Sequence, residues 1–83
     1  MRLVIGTGAQ QDLREIPESD AARVVAALQQ VADAYPQRLS FVTELVGRRG
    51  EWRLRKGSVR AFYRFEDEDM VVFEVGRRKE IYR

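Results

Sequence analysis

The chain has 83 residues, enough for one small domain, with 34% charged and 45% hydrophobic residues and a formal net charge of +2. It contains no cysteine and no histidine, which excludes disulfides, Cys/His zinc sites, thiol nucleophiles and every Ser-His or Cys-His pair. Chemistry is left to Arg, Lys, Tyr, Asp, Glu, Ser and Thr.

Residues 2–5 (RLVI) predict a short strand, closed by Gly6. Thr7 with Gln10 three residues later fits a capping box, and Ala9, Leu13 and Ile16 follow at helical spacing. Pro17 ends that helix. Ser19 or Asp20 is placed to cap a second one, with the apolar stripe Ala21, Val24, Val25, Leu28, Val31, Ala32 and Tyr35, and Pro36 stops it. A break of three or four residues between them makes a helical hairpin. Residues 41–46 (FVTELV) are apolar without clean periodicity and read as a bridging segment.

Beyond residue 50 the period changes to two. Trp52–Arg55 and Val59–Phe65 alternate as strands, joined by Gly57-Ser58, a two-residue hairpin turn. The acidic tip Glu66–Asp69 leads into a third run, Met70–Val75, then Gly76 and a basic tail. The expected fold is a single α+β domain over residues 1–83: a short N-terminal strand, a helical hairpin, then a three-stranded antiparallel meander.

The hairpin register gathers charge. With Gly57-Ser58 as the loop, Lys56 pairs with Val59, Arg55 with Arg60, Leu54 with Ala61, Arg53 with Phe62 and Trp52 with Tyr63. Trp52, Leu54, Ala61 and Tyr63 then share the face offered to the helices. Arg53, Arg55, Arg60 and Arg64 share the other, where Lys56 does not point. Like charges directly opposite, as Arg55 and Arg60 are, cost a few tenths to about 1 kcal/mol unless something anionic sits among them. The same alternation expects Val71, Phe73 and Val75 on the Arg face beside Phe62: either a partner covers this apolar surface or the register of the second hairpin is off by one.

The charge distribution agrees. Residues 43–83 hold eleven basic side chains against eight acidic ones, and residues 47–60 hold six against the single Glu51. Such a local excess is a phosphate-binding footprint, the alternative being a solvated basic face. No apolar run approaches the ~18 residues of a membrane helix, and no signal peptide, EF-hand or Walker A pattern is visible. A cytoplasmic protein without membrane contact, metal or cofactor is expected.

Leu45-Val46-Gly47-Arg48, Glu51-Trp52-Arg53-Leu54-Arg55-Lys56-Gly57, Val59-Arg60, Val75-Gly76-Arg77-Arg78 and Ile81-Tyr82-Arg83 carry a resemblance. In order, spacing and type they resemble the RelE/ParE superfamily of toxins from bacterial type II toxin–antitoxin systems. The resemblance implies a twisted antiparallel sheet with two helices on one side. In the RelE branch it implies cleavage of mRNA in the ribosomal A site, by attack of a 2′-OH on the adjacent phosphate. In the ParE branch it implies poisoning of DNA gyrase, and in both an antitoxin that wraps the toxin.

Carried onto this chain, the resemblance makes Arg53, Arg55, Arg60, Arg78 and Tyr82 the catalytic set. Arg48, Arg49, Lys56, Arg64 and Arg77 would contact nucleic acid, and Phe62, Phe73 and Val71 the antitoxin. Family members often carry Lys on the first of these strands. Arg stands here, and Arg is a poor general base, so either Tyr82 is the base, the activity is weak, or the chain is not a nuclease. Three readings follow: a ribosome-dependent mRNA endonuclease, a gyrase inhibitor without nuclease activity, and a degenerate toxin confined to antitoxin binding and autoregulation.

Overall fold

The structure, a computed structural model, describes residues 1–77. Its elements are β1 (Arg2–Ile5), α1 (Thr7–Arg14), α2 (Glu18–Ala34), β2 (Val42–Glu44), β3 (Glu51–Lys56), β4 (Val59–Glu66) and β5 (Asp69–Arg77). They build one five-stranded sheet in the order β1-β5-β4-β3-β2. The α+β class is as expected, with two corrections to the sheet. Residues expected to be a bridging segment supply β2, which pairs antiparallel with β3 (Val42 opposite Leu54, Glu44 opposite Trp52). The sheet is also mixed, because β1 runs parallel to β5.

Both helices cover the same face of the sheet. Their buried residues Ala9, Val24, Leu28, Val31 and Ala32 meet Leu54, Val59, Ala61, Tyr63, Met70 and Val72 in one core. The α2 stripe is the one the periodicity predicts with two differences: Ala27 is also buried, and Tyr35 lies past the last helical turn and stays 48% exposed. The caps differ from expectation. Gly6 is the N-cap of α1, and Gln10 reaches back through its side-chain amide to the Ile5 carbonyl (2.8 Å). Pro17 precedes α2, which puts Ser19 and Asp20 inside its first turn. Pro fits there because its fixed φ suits a helix entry and the first helical turn needs no N–H from it.

The path from β1 into α1 depends on Gly6. Its N–H donates to the Val72 carbonyl (2.8 Å), and a Cβ at this position would lie 2.9 Å from that same oxygen. A side chain would therefore push the chain off β5. Beyond Val72 strand β1 no longer covers the β5 edge, and α1 takes over. The Asp12 carboxylate accepts the Val75 N–H at 2.9 Å, so this edge donor is satisfied by a helix side chain instead of a strand.

The β3–β4 hairpin has the predicted register at all five pairs, from Trp52–Tyr63 to Lys56–Val59. Gly57, at φ +60°, supplies the positive φ that its two-residue turn requires. The β4–β5 hairpin departs from simple alternation. A bulge sets Phe62 opposite Glu74 but Tyr63 opposite Val72, leaving Phe73 as the extra residue. Val75 is thereby turned into the core (4% exposed) and does not share the Arg face. Val71 and Phe73 remain on that face.

Candidate functional site: an arginine-lined sheet face

Strands β3 and β4 place Arg53, Arg55, Arg60 and Arg64 on the face turned away from the helices, with Arg55 directly opposite Arg60. The four are not equivalent. Arg60 is 6% exposed, and its Nη1 donates to the carbonyls of Gly57 (3.0 Å) and Val59 (3.2 Å). It stands opposite Gly76, which has no side chain to compete for the space. Its guanidinium thus closes the β3–β4 turn and remains a fixed positive charge just under the surface. Arg64 pairs with Glu66 and lies over the Phe73 ring, 5.3 Å from its centroid.

Arg53 is half-buried, while Arg55 is exposed and makes no ion pair or side-chain hydrogen bond among the described residues. Arg55 borders an open hollow lined also by Ser40, Phe41, Thr43 and Gly57. Ser40 and Thr43 had no signal in the sequence, since only the pairing of β2 with β3 brings them beside an arginine. Together the guanidinium and the two hydroxyl residues make a polar recess suited to an anion such as a phosphodiester.

Other basic residues lie elsewhere. Lys56 sits over the Phe41 ring (5.9 Å), and Arg77, opposite Val59, reaches toward Asp20 of α2 at 3.9 Å. Both belong to the helix side of the sheet. Arg48 and Arg49 occupy the β2–β3 loop, where Arg48 pairs with Glu51 at 2.8 Å and Arg49 is exposed. Arg78 and Tyr82 lie outside the described residues. Of the side chains expected to meet an antitoxin, Phe73 and Val71 are half-buried on the Arg face. Phe62 is only 4% exposed, its ring centroid 6.4 Å from that of Phe73.

The two ends of the acidic hairpin tip, Glu66 and Asp69, are engaged in ion pairs. Arg2 holds Asp69 through two contacts of 2.8 Å across the β1–β5 pair, and this neighbour pulls the Asp69 carboxyl below its usual range. Glu66 is taken by Arg64. No cluster of three metal-ligating side chains occurs among the described residues. No helix among them is long and apolar enough to cross a membrane.

The chain is similar to known toxins over most of its length. The model of a family described as the ParE toxin of type II toxin–antitoxin system, parDE, matches residues 3–82. Among solved structures, the RelBE2 toxin–antitoxin complex from Mycobacterium tuberculosis is 29% identical, with a TM-score of 0.74, over 93% of this chain and 96% of that one. The RelB–RelE complex from Methanococcus jannaschii superposes with a TM-score of 0.80 at 18% identity, covering 95% and 94%. The isolated E. coli RelE toxin gives 0.76 at 18% identity, covering 98% and 89%. The latter two are likenesses of fold. No match was found among curated proteins.

Proposed function

Because the chain belongs to the ParE toxin family of type II toxin–antitoxin systems, within the RelE/ParE superfamily, we propose that a cognate antitoxin holds it inactive in the cytoplasm and that the released toxin cleaves mRNA in the ribosomal A site. The observation that carries this reading is the convergence of Arg53, Arg55 and Arg60 on one sheet face, beside the Ser40/Thr43 recess. In-line attack of a ribose 2′-OH on the adjacent phosphorus forms a 2′,3′-cyclic phosphate and expels the 5′-oxygen. Negative charge gathers on the non-bridging oxygens as it does so. Fixed cations aimed at those oxygens stabilise the transition state without reorganising.

Arg55 and Arg53 are the groups proposed to clamp the phosphate, with Arg60 adding its field from beneath. Family resemblance assigns the remaining steps: Tyr82 takes the 2′-OH proton or stacks on a base, and Arg78 stabilises or protonates the leaving 5′-oxygen. Phe73 and Val71 border the arginines, which supports an antitoxin segment lying across the same face and masking them.

A second reading, inhibition of DNA gyrase, is favoured by one specific observation. The arginine face carries no His or Lys among the described residues, and Lys56 points away from it. A gyrase poison needs no base. Primer extension on translated mRNA after a pulse of expression separates the readings. Cuts within codons, lost in Arg55→Ala or Tyr82→Phe, are the expected result. Growth arrest with intact message and an induced DNA-damage response would overturn the nuclease in favour of gyrase. Antitoxin binding without any toxicity would leave only a regulatory role.

A further inference from the structure

A second recess lies on the helix side of the sheet, where α2 ends, and the arginine face does not use it. It spans about 340 Å³ including its open mouth, with Val31, Val42 and Phe65 forming the apolar wall, Trp52 and Tyr63 beside them, and Arg38 exposed at the edge. Tyr35, a large side chain that the fold leaves 48% exposed, flanks the opening.

The polar side chains that line this recess are cationic or neutral. The Arg38 guanidinium and the Trp52 indole N–H can only donate, and Tyr63, 1% exposed, brings a hydroxyl. None of the three side chains makes a hydrogen bond within the described residues, Arg38 makes no ion pair there, and no carboxylate lines the recess. An apolar pocket edged by donors and one cation fits a ligand with an apolar body and an anionic head. A nucleotide has that outline too, but the stacking surface it would need is largely taken. Arg38 already lies 4.8 Å from the indole centroid, the Tyr63 ring stacks on it at 6.4 Å and 12°, and Phe65 meets it edge-on at 6.3 Å. An aliphatic side chain needs no ring face.

We propose that this recess is an anchor site for an acidic peptide segment of a partner protein, taking one bulky aliphatic side chain against Val31, Val42 and Phe65 and a flanking carboxylate on Arg38. Charge complementarity selects the partner: a chain with a sequence pI near 9.4 presents a cation without a carboxylate at the mouth of an apolar pocket. The site lies across the sheet from the arginine face, so it can be filled while that face is free or occupied. It holds whichever target the toxin has.

Trp52 is the only tryptophan, so its indole N–H is a single reporter resonance in a ¹H–¹⁵N spectrum of the full chain. Titration with acetylated, amidated Glu-Leu-Glu should shift it saturably. Glu-Ala-Glu and Lys-Leu-Lys should bind about tenfold or more weakly. Arg38→Glu, a change at an exposed position whose folding the same spectrum verifies, should reverse the preference toward Lys-Leu-Lys. No shift with Glu-Leu-Glu at millimolar concentration, or equal shifts with both charge types, would overturn the proposal. A tighter response to adenosine monophosphate would overturn it in favour of a nucleotide.

Discussion

Two residues of the same type on one strand face can serve opposite purposes. Arg55 is solvent-facing beside a polar recess, whereas Arg60 is buried and bound to two main-chain carbonyls. Removing Arg60 would leave both acceptors short of a charged donor, so Arg60→Ala should cost about 1–3 kcal/mol in chemical denaturation, while Arg55→Ala should stay within about 0.5 kcal/mol. Loss of toxicity in Arg60→Ala therefore has to be corrected for loss of fold, and Arg55 is the cleaner probe of function. Tyr63 makes a separate prediction. Burial pushes its phenol up to about 12 from an ordinary value near 10, with nearby Arg38 pulling weakly the other way. The unfolded chain then ionises first as pH rises. Stability from this group is complete below about pH 10 and is lost between about pH 10 and 12, a decline that urea melts should register and that Tyr63→Phe should flatten.

Elements joined by tight turns were legible in the sequence, and those completed by distant partners were not. The β3–β4 register follows from a two-residue loop at Gly57-Ser58 and strict alternation on both sides, and every pair is observed. Strand β2 was unreadable because it is three residues long and owes its existence to β3. The β4–β5 bulge left only a trace, an apolar run that strict alternation puts on the outer face and that a one-residue register shift would relieve. It turns Val75 inward, where its N–H finds Asp12, a residue 63 positions away. Alternation alone carries no information about such a partner. The capping residues were misplaced for a related reason: Gly6 caps α1 because the chain must pass close to the Val72 carbonyl, a tertiary demand that outweighs side-chain capping by Thr7. Asp12 is the element-scale test. Asp12→Ala should strip the Val75 amide of its acceptor, costing about 1–3 kcal/mol and raising its hydrogen-exchange rate, and Asp12→Asn should restore part of both.

For the whole molecule, the mixed five-stranded sheet separates two surfaces, a cationic one and one packed against helices. If the cationic surface holds RNA, affinity for a single strand should fall linearly on a log–log plot against salt. Arg55→Ala should reduce that slope by about 0.7, the share of one phosphate contact, and Arg23→Ala on the exposed side of α2 should leave it unchanged. Equal slopes in the two variants would remove Arg55 from the interface.

What the amino-acid sequence determined by itself is local: the absence of His and Cys, the period of the α2 stripe, and the hairpin that aligns Arg53, Arg55, Arg60 and Arg64. These depend on neighbours a few residues apart, whose geometry turns and periodicity fix directly. Tertiary structure alone decided that β1 would join β5 in parallel, that a bulge would divide the apolar residues of β5 between two faces, and that Arg60 would be spent on its own turn. The physical reason is sequence separation and burial. Partners more than sixty residues apart leave no local pattern, and identical arginines acquire different roles only when packing decides which one keeps its water.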